Sequence, residues 1–315
     1  MLFVNEKYNS INSILSNTNE AKEVVSEADN SWGEIFESII CEAYNNKGKV
    51  PEKSQYAATV ESRGMSPQTL YKNIYDSLKK YKMPHIRKLE NANPVTDEWY
   101  RLGLYKESGS TPNNTPKTDI LGGKFHISVK EGSGARLMSG AVNESIATIR
   151  AAIESLNDAD LNKEVNDLFN KLKSVGTRAR LSSADLTVGA IKKKYKGISY
   201  SNDDLDEDER KVLTIEELKI EFNEFVAKVN SNKDIREAII REALTGTVKF
   251  GKDSTSCANY ILTWENDGTC HLYTIDEFYN EFGSHYRVKS AFKSSAVTRK
   301  GVRVGRDIWM VLSIT

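Results

Sequence analysis

The spacing of apolar residues divides the chain into stretches of different character. Residues 1–30 are polar and rich in Asn, Ser and Glu, and read as an extension holding a short helix and a loop. At Ser31 the pattern turns helical. In SWGEIFESIICEAYNN, Trp32, Phe36, Ile39, Ile40 and Ala43 fall on one stripe, and Ser31 with Glu34 forms a capping-box signal. Residues 66–90 predict a second helix with Ser66 as N-cap and Pro67 at its first position. Its Tyr71, Tyr75, Tyr81 and several lysines predict a basic, aromatic exterior. Pro94, Gly109, Pro112 and Pro116 make 91–118 a loop. Short strands follow near 118–121 and 124–130, then helices from Asn143 and over 160–175.

One long helix is predicted from about 206 to 244, stopped by a C-cap signal at Thr245-Gly246. Beyond it the period changes again. YILTWEN, CHLYT, YRVKSAFKSS and IWMVLSI look like strands, the turn NDG at 266–268 joins the first two, and IDEFYNEF is a short amphipathic helix. These shifts predict an extension (1–30), a core (31–180), an acidic linker with the long helix (181–245) and a small α+β domain (246–315).

Composition narrows the function classes. Lys plus Arg and Asp plus Glu both number 44, so the formal net charge is zero. Nucleic-acid binding would have to come from a local basic surface, not from the field of the whole molecule. Cys41, Cys257 and Cys270 are widely spaced and form no C-x-x-C pair, which argues against a zinc site or a disulfide framework. A reducing, cytoplasmic setting is expected. The N-terminal MLFVNEKYNS is too short in apolar residues for a signal peptide, and no apolar run reaches the roughly eighteen residues of a membrane span. The acidic SNDDLDEDER resembles a calcium loop only in its acids. With Asp204, Asp206 and Asp208 as the first three ligands, Glu209 stands at the turn glycine and Ile215 at the bidentate Glu.

The chemistry concentrates in TPKTDILGGKFHISVKEGSGARLMSG. Asp119 starts one strand and Lys130 ends the next, so the two can meet at one edge of a hairpin. Strand alternation puts Ser128 and Lys130 on one face and Val129 on the other. A carboxylate there suits a hard divalent cation, and a lysine can orient water or stabilise charge on a phosphate. This is chemistry for phosphodiester hydrolysis.

PKTD followed by a hairpin and SVK resembles the active site of the PD-(D/E)xK nuclease superfamily, the fold of many restriction endonucleases. The usual second motif is Glu/Asp-x-Lys. Ser128 stands at its acidic position here, as in a restriction-enzyme subgroup that uses Ser-x-Lys and takes its second carboxylate from the following helix, fourteen residues beyond the lysine. That position is Glu144, in AVNESIATIR. Members also commonly carry a helix Glu in a pattern like Gly-x-x-Phe-Glu, matched by Gly33-Glu34-Ile35-Phe36-Glu37.

The resemblance covers residues 31–160. It implies an α/β fold with a restriction-endonuclease-like core, a mixed central sheet flanked by helices, to which this chain adds helices and the C-terminal α+β domain. It also implies an Mg²⁺-dependent DNA endonuclease, with Mn²⁺ as an alternative ion. Asp119 and Glu144 would hold the metal, with Glu37 as a further acid. Lys130 would position the attacking water or stabilise the transition state, and Ser128 would hydrogen-bond a metal-bound water. Cutting double-stranded DNA calls for two sites facing two strands, hence a homodimer or higher homo-oligomer.

Further residues are candidates for DNA contact. Arg136 and Ser139 lie in the Gly/Ser-rich loop after the lysine, where backbone N–H groups and an arginine suit an anion. The segment 283–306 holds Arg287, Lys289, Lys293, Arg299, Lys300, Arg303 and Arg306 and no acid, a stripe able to track a duplex. The Tyr/Lys helix at 67–82 is a second DNA-facing candidate. His126 shares the face of Ser128 and Lys130 and reads as structural. The rival readings are a non-catalytic nucleic-acid-binding or structural protein using the basic C-terminal domain, and a protein–protein module built on helix 206–244. Dependence on Mg²⁺ separates both from a nuclease.

Overall fold

The computed structural model describes residues 32–132, 134–138 and 142–315. The N-terminal extension, the Ser31 cap and Ser139 lie outside the described residues. Helix α1 spans 32–45 and buries the expected stripe, with Phe36, Ile39, Ile40 and Ala43 fully enclosed. Phe36 stacks on Trp264 with ring centroids 3.8 Å apart, which ties the helix to a distant strand. Helix α2 (Ala57–Ser62) and helix α3 (Pro67–Leu78) follow. The Ser66 hydroxyl caps α3 by accepting the Thr69 N–H, as the sequence predicts.

Helix α3 is much shorter than the predicted 66–90. A 3₁₀ turn at Lys79–Tyr81 closes it, Lys82 adopts φ 51°, and Pro84 bars the helical conformation just before it. The aromatic exterior is also corrected. Tyr71 is fully buried and donates its hydroxyl to Glu42, because that side of α3 packs on the sheet.

Strand β1 (Arg87–Lys88) is too short to have a pattern. Helices α4 (Asp97–Leu102) and α5 (Tyr105–Ser108) lie within the predicted loop. Strands β2 (Ile120–Gly122) and β3 (Phe125–Glu131) form the predicted hairpin. Gly123 at φ +59° opens its two-residue turn, the conformation a type II′ turn asks of its first central residue. Helices α6 (Val142–Ser155) and α7 (Ala159–Val175) come next, then β4 (Arg178–Leu181) and α8 (Val188–Lys194).

The long helix is two helices, α9 (Glu207–Ser231) and α10 (Lys233–Thr245). Asn232 ends one and starts the other, its side-chain oxygen accepting the N–H groups of Asp234 and Ile235. An unbroken helix would leave that carboxamide no such role. Gly246 at φ +65° supplies the predicted C-cap. A turn of helix, α11 (Thr247–Phe250), precedes β5 (Tyr260–Trp264), β6 (Cys270–Thr274), α12 (Ile275–Phe282), β7 (Val288–Arg299) and β8 (Val302–Ile314).

The strands form two sheets. The first has the order β1-β2-β3-β5-β6, antiparallel except where β3 runs parallel to β5 from Ile127↔Tyr260 to Glu131↔Trp264. The second is antiparallel, in the order β4-β8-β7. Segment 246–315 therefore builds no sheet of its own: β5 and β6 complete the first, while β7 and β8 join β4. One face of the first sheet packs on α1 and α3 through Ile127, Leu262 and Trp264. Ile261, pointing the other way, joins a core built from α6, α7, α9, α10 and the inner side of β8. The result is a mixed α/β molecule whose central mixed sheet is flanked by helices. No helix among the described residues is long and apolar enough to cross a membrane.

Candidate active site

Backbone pairing fixes Asp119 before its side chain does anything. Its N–H bonds the Ile127 carbonyl at 2.8 Å and its carbonyl accepts the Leu89 N–H at 2.9 Å, so it bridges the β1 and β3 sides of β2. The carboxylate turns onto β3. Oδ2 accepts the Val129 N–H at 2.7 Å and the Ser128 hydroxyl at 3.3 Å. Ser128 is 2 % exposed, so its hydroxyl orients Asp119 from within the protein.

Glu37 approaches from α1. Its carboxylate pairs with Lys88 of β1 at 3.0 Å, and the same ammonium donates to the Glu34 carbonyl at 3.0 Å. Burial first, and then the charge of Asp119, push the Glu37 carboxyl up to about 7. Burial likewise raises Asp119, while Lys130 is the leading influence that draws it down. Two carboxyls raised chiefly by burial thus share one end of the sheet with Lys130.

Beyond Asp119 the charges continue inward. Lys117 is lowered to about 8 by burial, and then by the neighbouring charges of Lys249 and Lys130, with Glu144 and Glu242 opposing. Glu144 opens α6 and is 7 % exposed. Its Oε2 accepts the Tyr105 hydroxyl at 2.8 Å and its Oε1 pairs with Lys249. Lys249 is 1 % exposed and also reaches the Thr115 carbonyl at 3.3 Å. Glu242 accepts the N–H groups of Val248 and Lys249, and burial raises it to about 7.

The predicted residues therefore divide. Asp119, Ser128, Lys130 and Glu37 come together. Glu144 is held by Lys249 and Tyr105 instead, and faces a surface cavity of about 240 Å³ lined also by Ser110, Thr111, Asn143 and Thr177. Among the described residues no group of three His, Cys, Asp or Glu side chains is placed to share a metal. The Glu37–Asp119 pair still fits a small divalent ion. Mg²⁺ takes one or two carboxylates and keeps several waters, and a bound cation would favour the ionised form of two carboxyls that burial holds back. Lys117 and Lys249 were missed by sequence reasoning. Lys117 sits inside the quoted PKTD, whereas Lys249 gives no signal beyond a lone cation in the short run TVKF.

Other candidates have mixed fates. His126 bonds the Cys257 carbonyl through Nδ1 at 3.2 Å, a structural role. The three cysteines are free and buried. Asp206 caps α9 and Asp208 accepts the Ser182 N–H, so the acidic run serves as caps and turn ties. Arg136 is exposed on its loop, anchored next door by the Leu137 N–H on the Ile314 carbonyl. Lys289, Lys293, Arg299, Lys300 and Arg303 are exposed along β7, β8 and their turn. Arg287 is tied to the Ser284 and Tyr286 carbonyls, and Arg306 to that of Leu186.

No family model matches this chain, and no curated protein or solved structure matches it. The geometry alone carries the functional reading.

Proposed function

We propose that this chain is a metal-dependent deoxyribonuclease of restriction endonuclease type, hydrolysing phosphodiester bonds of double-stranded DNA. The observation that carries the reading is the meeting of Glu37, Asp119 and Lys130 at one end of a mixed sheet, with both carboxyls raised. Lys88 pairs with Glu37 and Lys130 lies near Asp119, so the support lies in two buried carboxyls held above their ordinary range beside a lysine at one sheet edge, the kind of perturbed cluster that marks functional sites.

When bound, a divalent ion such as Mg²⁺ or Mn²⁺ supplies Lewis-acid polarisation of the phosphate and a more acidic water. Asp119 and Glu37 are the residues that would hold it. The Val129 N–H and the Ser128 hydroxyl fix the Asp119 carboxylate, so it need not reorganise as charge develops. Lys130 places a positive charge beside it, where it can orient the attacking water and stabilise the negative charge growing on the phosphate oxygens. Lys88 holds Glu37 in register with the sheet. A ligand role for Glu144 requires its carboxylate to leave Lys249. A homodimer would present two such sites to the two strands.

Cleavage of plasmid and linear DNA by the wild type and Lys130→Ala, with Mg²⁺ or with EDTA, tests the proposal. Cutting that needs Mg²⁺ and disappears in the variant is expected. If neither protein cuts while both retard DNA on a gel, the reading fails and a non-catalytic binding protein takes its place.

A further inference from the structure

The second sheet has one face on the core and one in solvent. Val288, Ser290 and Phe292 alternate inward on β7, with Phe292 set against Phe222 of α9. The intervening residues Lys289, Lys293 and Arg299 therefore project from the opposite face. Register extends that face across all three strands. Lys293 pairs with Trp309, and Trp309 pairs with Arg178 of β4. Ser295 pairs with Asp307, and Asp307 pairs with Arg180. Arg178 and Arg180, which sequence reading left out of the basic stripe, thus join it in space. Their side chains are 62 % and 64 % exposed.

The arginines are ordered in advance. The Arg178 guanidinium lies over the Trp309 ring, 4.8 Å from its centroid. Arg180 grips Asp307 with two hydrogen bonds, and Asp307 is the only acid that the register places on this face. The face then runs outward beyond β4 as a bare two-stranded ribbon. Lys300 and Gly301, at φ 49° and 77°, make its tight turn. A register shift between Val297 and Thr298 marks a bulge, and Val302 and Val304 are exposed close to the turn. From Lys289 to Arg299 the strand covers about 33 Å at the usual rise, close to the ~34 Å of one helical turn of duplex DNA.

We infer that this open face docks double-stranded DNA. Arg178, Lys289, Lys293 and Arg299 contact phosphates, and the β7–β8 ribbon enters the major groove, whose ~12 Å width admits a two-stranded ribbon. The choice of polymer rests on the nuclease reading; the charge and shape of the face do not. A face carrying five cations against one acid on a chain of zero net charge is complementary to a phosphate lattice.

The test is fluorescence anisotropy of a 30-base-pair duplex with the full chain in EDTA, titrated at salt concentrations from 50 to 200 mM. Each phosphate contact contributes about −0.9 to the slope of log affinity against log salt. Arg178→Gln is expected to flatten the slope by about one, and the triple variant Lys289→Gln/Lys293→Gln/Arg299→Gln by about three. Over that salt range each lost contact narrows the loss of affinity about threefold. These exposed substitutions leave the Arg180–Asp307 pair intact, and thermal melting confirms the fold. Lys53→Gln, exposed in the segment between α1 and α2 and outside the second sheet, is expected to change nothing.

Triple-variant binding with wild-type affinity and slope overturns the inference, as does an equal effect from Lys53→Gln or tighter binding of single strands or duplex RNA. The two proposals fail separately. A wild type that cuts, alongside a triple variant that binds and cuts equally well, sinks the docking face and leaves the nuclease. A wild type that binds through this face but never cuts with Mg²⁺ does the reverse.

Discussion

The two ends of the buried charge row handle their carboxylates differently. At the inner end Glu144 is closed off, with one oxygen on Lys249 and the other on the Tyr105 hydroxyl. At the outer end Glu37 lies within the electrostatic reach of Asp119, and both hold protons more tightly than ordinary carboxyls. The inner arrangement is complete with protein groups alone. The outer one sets Lys88 on Glu37 and Lys130 near Asp119, yet burial keeps both carboxyls raised. Acidity by itself does not mark a functional site; a pair of neighbouring carboxyls that burial keeps raised makes one a candidate.

The largest way to break this contrast is at Lys249. Lys249→Met leaves Glu144 buried without its partner and is expected to cost about 3–5 kcal/mol of stability by urea unfolding. Adding Glu144→Gln to that background should restore much of the loss. Next comes Lys130→Ala, expected to lower cleavage by about 10²–10³-fold while leaving the unfolding midpoint close to wild type. Glu144→Gln alone sharpens the comparison. Retained cleavage confines the metal to Glu37 and Asp119; lost cleavage in a folded protein means that the carboxylate leaves Lys249 during turnover.

A third effect is set by pH. Glu242 is raised from 4.5 to about 7 in the folded chain. A carboxyl raised on folding adds stability that is fully present below its unfolded pKa and is lost as pH rises through the folded one. Glu242→Gln should match the wild type near pH 4.5. By pH 8 it should be the more stable of the two, by on the order of 3 kcal/mol, read from unfolding midpoints across that range. The smallest effect is that of the ion itself. Mg²⁺ at about ten times its dissociation constant should stabilise the wild type by about 1.4 kcal/mol, and Asp119→Asn should abolish that gain.

Much of the outer site was legible because it is local. Asp119, the Gly122-Gly123 turn and Lys130 lie within one hairpin, and the α1 stripe that presents Glu37 repeats at helical spacing. The inner end was not legible. Glu144 and Lys249 are far apart in sequence, and no pattern around Lys249 says that its ammonium crosses to α6. Strand β5 was visible as a strand, but alternation gives a strand its faces and not its neighbour, so its parallel seat beside β3 stayed hidden. Arg178 and Arg180 escaped notice for the same reason. The break at Asn232 was overlooked because the apolar residues on both sides keep helical spacing and only the capping carboxamide interrupts it.

The seating of β5 beside β3 has a consequence for how the molecule is made. Strand β3, which carries Ser128 and Lys130, gains its second neighbour only from residues 260–264. Such long-range pairing is slow to close because the intervening chain must be drawn in first. On the ribosome the hairpin emerges long before its partner strand, so the surroundings of Asp119 take shape only after residues 260–264 have been synthesised.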